Sequence, residues 1–247
     1  MIYNNNMTVE DIIQKSVADS KLANQKARRN WVRRMLNYYG GNGTNQYIKN
    51  YFNSAAFQEI PCYNANFTRR FINKMSRIYT VGTSRNVNTE YDLLTIKKDA
   101  RFKHVERMTR LMGTVATQII YKEVNGMPYF DYRPVYYFDV HLKDPFTPSA
   151  IMYPLLMQPD DVSYIENCEW AYWDESVHIH YDENGNIINE YEHGYGILPF
   201  VFTHREEQID EFFVDGANDI VDCNEQVNIA MTEMQLGLRF QMFGQPY

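Results

Sequence analysis

Residues 215–247 read DGANDIVDCNEQVNIAMTEMQLGLRFQMFGQPY, and this stretch decides how the rest of the chain is read. From Ile220 the apolar residues recur at Val227, Met231, Met234 and Leu238, with Leu236, Phe240 and Phe243 widening the stripe. That spacing marks one face of a helix, because positions three, four and seven apart stack on the same side. The opposite side carries Asp219, Asp222, Glu225 and Glu233. A Met- and Phe-rich stripe of this kind needs covering, either by further sequence downstream or by a neighbouring subunit. The expectation is a function that belongs to an assembly, not to a pocket inside one copy.

Working back from this helix, the hydrophobic period changes twice. Leu198-Pro199-Phe200-Val201-Phe202 reads as a short edge strand, since proline lacks the ladder donor. Trp170–Tyr181 and Ile187–Tyr195, joined through Asp182-Glu183-Asn184-Gly185-Asn186, read as a hairpin. Thr114–Val124 and Tyr129–Leu142, with Asn125-Gly126 as the turn, read as an antiparallel pair, and Ile151–Met157 as a further strand. Before Thr114 the pattern is helical. Thr8 with Asp11 forms a capping signature, and apolar residues from Ile12 to Leu36 follow at helical intervals up to Gly40-Gly41-Asn42-Gly43. A Tyr/Asn-rich connection covers 47–60. Asn66 is a plausible N-cap for a second helix with Phe67, Phe71, Ile72, Met75 and Ile78 inward, ending at Gly82. A third helix spans 90–112, with Phe102, Val105, Met108 and Met112 inward. The fold class expected is α+β: N-terminal helices, antiparallel sheet and hairpins, then a long helix. The divisions expected are a helical arm over 1–63, an α+β domain over 64–211, and the long helix from 212 to 247.

Composition excludes several classes. Hydrophobic residues make up 45% and charged residues 22%, which describes a folding globular chain and not a disordered one. No apolar run approaches the ~20 residues needed to cross a bilayer, so no membrane partner is expected. The start, Met1-Ile2-Tyr3-Asn4-Asn5-Asn6, lacks the order of a signal peptide. Cys62, Cys168 and Cys223 are odd in number and widely spaced, which argues against a disulfide framework and for synthesis in a reducing cytosol. The net charge of −7 hides an asymmetry: residues 1–110 carry 19 basic and 8 acidic residues, residues 111–247 carry 5 and 23. Two surfaces facing different surroundings would explain this, as would two halves that attract each other.

His178 and His180 lie two apart on a strand, opposite Glu190, Glu192 and His193, and could hold zinc; a solvated hairpin face is the competing reading. Gly113-Thr114-Val115-Ala116-Thr117 lacks the Lys-Ser/Thr of a P-loop. No nucleophile elbow or defined carboxylate pair is present, so neither an enzyme nor a cofactor is expected. Arg28, Arg29, Arg33 and Arg34, with Arg69, Arg70, Lys74 and Arg77, could neutralise phosphates, and a nucleic-acid-binding protein is the alternative function they suggest.

Taken in order, five segments resemble a portal protein of tailed bacteriophages: NANFTRRFINKMSRIYTVG (64–82), LMGTVATQIIY (111–121), RPVYYFDV (133–140), GYGILPFVF (194–202) and DGANDIVDCNEQVNIAMT (215–232). They look like the family's early helix, its helix-Gly-strand passage, the strand after a proline, the late strand of its wing domain, and the helix entering its stem. The resemblance implies a portal-like wing domain followed by the beginning of the stem helix. The clip, second stem helix and crown of that family have no counterpart here, and a truncated or partly recorded chain is the expectation.

The resemblance further implies a homo-oligomeric ring, usually a dodecamer, at one capsid vertex of the virion, made in the host bacterial cytoplasm. It nucleates capsid assembly and is a conduit for DNA packaging and ejection. Its implied partners are the major capsid protein, the terminase large subunit, head-tail adaptor and tail proteins, and the double-stranded DNA in its channel. Under that reading Asp219, Asp222, Glu225 and Glu233 are candidates for the channel wall. Ile220, Val227, Met231, Met234 and Leu238 are candidates for subunit packing. Arg28, Arg29, Arg33, Arg34, Arg69, Arg70 and Arg77 would face capsid, scaffold or packaged DNA.

Overall fold

The structure is a computed structural model that describes residues 7–52, 61–79, 81, 86, 98–124, 126–155 and 168–243. It is mixed α and β, and every strand pairing among the described residues is antiparallel. Two compact units divide the chain: Met1–Arg33 with Ser76–Gly216, and Arg34–Met75 with Ala217–Tyr247. Neither is continuous in sequence, and the borders expected near residues 63 and 211 do not coincide with this division.

In the first unit, helix α1 (Val9–Ser20) starts at the expected capping box, with Thr8 and Asp11 bonding each other's backbone N–H. The single helix expected up to Gly40 is instead two, because α2 begins afresh at Ala23 and runs to Gly40. Lys21 and Leu22 donate to carbonyls three residues back, which tightens and closes the first helix. Arg29 then donates to the freed Ser20 carbonyl at 3.0 Å.

The next described helix of this unit, called α5 here because α3 and α4 belong to the second unit, spans Asp99–Met112. It buries Val105, Met108 and Met112 as expected and leads through Gly113 into strand β1 (Thr114–Val124). The part of that helix expected before residue 98, and its expected neighbour's end at Gly82, lie outside the described residues. β1 is the centre of a three-stranded sheet between β2 (Met127–Val135) and β8 (Phe200–His204).

A second, five-stranded sheet has the order β3 (Asp139–Leu142), β4 (Pro148–Pro154), β5 (Trp170–Trp173), β6 (Val177–Tyr181), β7 (Ile187–Glu192). Two expected long strands are broken. The 129–142 strand gives up its pairing at Tyr136-Tyr137-Phe138 and changes sheet, and Arg28 holds the corner by bonding the Phe138 carbonyl at 2.7 Å and Asp139 at 2.8 Å. The 170–181 strand folds back at Asp174, whose carboxylate accepts the N–H of Ser176 and of Val177, an Asx turn that makes β5–β6 a hairpin.

The two sheets share a core of Ala116, Val135, Phe138, Ile151, Tyr153, Ala171, Phe200 and Phe212. Strand alternation then sends Thr117, Ile119, Val201 and Thr203 to the other face of the smaller sheet. Thr109 of α5 meets Thr203 there at 2.7 Å.

The second unit takes α2 from Arg34 onward, α3 (Thr44–Tyr51), α4 (Phe67–Met75) and α6 (Asn218–Phe243). The expected connection over 47–60 thus begins as a helix. Among the described residues, Met35, Tyr38, Ile48, Ile72, Ala217, Val221 and Leu236 are its buried hydrophobics. Phe71 and Met75, expected inward, are exposed, because α4 ends at Met75 and turns Ile72 and Thr68 inward. Ile78, also expected on that face, lies beyond the helix and is exposed. No described helix is long and apolar enough to cross a membrane.

Candidate functional site

The 26-residue helix α6 is the element the sequence singled out, and its faces are arranged in a way the apolar pattern did not reveal. Its buried face carries a polar row between Val221 and Leu236. Asn224, Asn228 and Thr232 are 2%, 0% and 1% exposed. They hold the extended segment ahead of α4. Tyr63 N–H donates to Thr232 Oγ1 at 3.0 Å, Ala65 N–H to Asn228 Oδ1 at 3.0 Å, and Phe67 N–H to Asn224 Oδ1 at 2.6 Å. Asn228 also returns a bond from Nδ2 to the Ala65 carbonyl at 3.2 Å.

The match is one of pitch. Four helical residues advance about 6 Å and two extended residues about 6.6 Å, so side chains at i, i+4 and i+8 meet alternate residues of an antiparallel segment. Asn224 also accepts from Thr68 N–H at 3.0 Å, while Asn66 accepts from Arg69 N–H at 2.9 Å as the expected N-cap. Three of the four orphan donors at the start of α4 are thereby satisfied, two of them by α6. The Asn-x-x-x-Asn-x-x-x-Thr spacing was visible in the sequence; the apolar stripe drew the reading away from it.

The acidic side of α6 divides. Arg34 Nη2 lies 2.7 Å from Asp222 Oδ1 and 2.6 Å from Glu225 Oε2, and Tyr38 donates to the same Glu225 oxygen at 2.8 Å. Burial, then the bond to Glu225, pushes the Tyr38 hydroxyl well above its ordinary pKa. Burial opposes the charge of Arg34, but its two carboxylate partners outweigh this and raise its pKa. Asp222 and Glu225, expected on the channel wall, thus share Arg34 within this unit, which offsets one of their two negative charges. Asp219 and Glu233 are exposed.

The apolar stripe faces neither the ladder nor the ion cluster. Val227, Met234 and Leu238 are 37%, 51% and 53% exposed, while Ile220 and Met231 are half-buried. Leu236, expected to widen the stripe, lies on the far side and is buried.

The basic residues divide as well. Arg28 is committed to Asp139, with its guanidinium 4.0 Å from the centre of the Phe213 ring, and Arg29 is buried. With Arg34 paired, these three do not form the outward basic face expected of them. Arg33, Arg69, Arg70 and Arg77 are exposed, and Arg69 rests 5.8 Å from the centre of the Tyr39 ring.

The histidine pattern on β6 is also corrected. Register pairs His178 with Tyr191 and His180 with Asn189, whereas Glu190 and Glu192 stand opposite Ile179 and Val177. The carboxylates are thus on the other face of the sheet, and no metal-holding group of three His, Cys, Asp or Glu occurs among the described residues. Trp173 stacks on His178 at 3.8 Å and on His193 at 5.3 Å. Burial, helped by His180 and His193, pushes the His178 pKa down to about 4.

The unfolded chain therefore binds more protons than the folded one between about pH 6.5 and 4, and stability falls as pH is lowered through that window. Partial exposure discounts the effect to roughly 1–2 kcal/mol. His178→Phe is expected to flatten that part of the urea-midpoint-against-pH curve; an unchanged slope would assign it elsewhere.

Compared with known proteins, the chain matches no protein-family model and no curated protein.

Proposed function

We propose that this chain is the wing and the start of the stem of a tailed-phage portal protein, a subunit of the ring through which DNA is packaged and ejected. The observation that carries the reading is α6. It satisfies its own unit through a polar face and leaves a separate apolar stripe, Val227, Met234 and Leu238, exposed to solvent. A ring requires a head-to-tail interface that closes on itself, and such a stripe is suited to one. The motor would be a separate terminase, with capsid and tail proteins docking elsewhere on the ring.

Within this proposal the channel wall is assigned to Asp219 and Glu233, the two expected acidic residues that do not bond Arg34. DNA carries a negative charge about every 1.7 Å, so an anionic wall lets the duplex slide where a cationic one would grip it.

Negative-stain imaging of the protein at high concentration, with its capsid proteins present, is expected to show annular particles with a central hole. Val227→Asp with Met234→Asp is expected to leave monomers of unchanged helicity, and Asp219→Lys with Glu233→Lys to keep the ring but slow DNA passage. A protein that stays monomeric under all these conditions overturns the proposal.

A further inference from the structure

The first unit contains a cavity of about 470 Å³ between α5 and the face of the smaller sheet that turns away from the core. Thr117, Ile119 and Val201 form its floor, and Phe102, Val105 and Glu106 come from the helix. The volume is that of a ligand site, and the lining combines apolar and aromatic surface with threonine hydroxyls and charged groups.

Glu106 is 9% exposed, and neither of its carboxylate oxygens has a hydrogen-bond partner. Thr117 Oγ1, on the floor, is also buried without one. Arg110 lines the same cavity one helical turn further on, yet leaves the carboxylate unbonded. A buried carboxylate lacking donors is strongly unfavourable, and a protein retains one where something outside the chain supplies them.

We propose that this cavity receives an arginine side chain presented by a partner polypeptide. A guanidinium offers five N–H groups in a planar fork, enough to serve both Glu106 oxygens and the Thr117 hydroxyl together, which an ammonium cannot match in geometry. Its flat face suits the aromatic group beside the carboxylate, where Phe102 lies 4.9 Å from Tyr132 and 5.9 Å from Tyr79 between ring centres. Arg110 and Arg205 also line the cavity, so the residues flanking the incoming arginine are neutral or acidic. The proposal does not depend on ring formation.

The probe is N-benzoyl-L-arginine amide, titrated into methyl-labelled protein and followed at Ile119 and Val201. Saturable shifts are expected, with a Kd on the order of 1 mM. The citrulline analogue, isosteric but uncharged, is expected not to bind, and Glu106→Gln to weaken binding at least tenfold. Should that variant not fold, Thr117→Val is expected to weaken binding several-fold. Equal binding by Glu106→Gln or by the citrulline analogue overturns the assignment.

Discussion

Gly113→Ala is expected to destabilise the first unit by about 4 kcal/mol or more, a large share of the 5–15 kcal/mol that holds a domain together. Gly113 joins α5 to β1 at φ 81° and ψ −53°, a backbone conformation that residues with a side chain rarely adopt. A Cβ there would lie 1.9 Å from the Val214 carbonyl oxygen and 2.6 Å from the Asp215 carbonyl carbon.

Those atoms cannot retreat cheaply. Val214 N–H is bonded to Thr114 Oγ1 at 2.9 Å, and Arg205 N–H to the Gly113 carbonyl at 2.8 Å, so the crossing is pinned on both sides. Gly126 is the internal control. Its φ is 73°, but nothing lies within 4 Å of the Cβ position, so Gly126→Ala bears only the conformational cost, about 1 kcal/mol. Urea midpoints of the two variants measure the difference; equal midpoints would mean that the close approach to Val214 does not constrain the fold.

The second large effect concerns the ladder on α6, where the same chemical change is expected to have opposite outcomes at two positions. Asn224 acts only through its carbonyl oxygen, accepting from Phe67 and Thr68. Asn224→Asp keeps that acceptor and places a negative charge at the start of α4, so it is expected to stay within about 1 kcal/mol of the parent at neutral pH. Asn224→Ala strands both donors and is expected to cost about 2–4 kcal/mol.

Asn228 uses both ends of its amide, accepting from Ala65 N–H and donating to Ala65 carbonyl. Asn228→Asp loses the donor and sets a carboxylate against a carbonyl in a site that is 0% exposed, at about 2–3 kcal/mol. Denaturation midpoints, with hydrogen exchange at Phe67 and Thr68, decide the matter. If both aspartates cost the same, the ladder does not work as described.

These residues show what was legible and why the remainder was not. Local signals carried over directly: the Thr8 capping box, the Asn66 cap, the glycine stop of α2, and the β1 strand following Gly113. Each rests on bonds between near neighbours in the chain. Where two strands ran on without a glycine or Asn-Gly signal at the break the breaks were missed, since one depends on Arg28 more than a hundred residues away and the other on a single Asp174 turn. Residue type gave the charge of Arg34, Asp222 and Glu225, but not that they would meet.

The sequence alone determined that the chain is mixed α and β, where α1 and α4 start, and that α6 carries more apolar surface than one side of a helix can hide. Only the tertiary structure decided which side was hidden. Burial favours the face whose groups find partners, and on α6 that face buries three polar side chains beside Val221 and Leu236, because those three match at the helical repeat the backbone donors of a segment about 160 residues earlier. Hydrophobic periodicity records which residues avoid water; it holds no information about a distant segment whose spacing happens to fit.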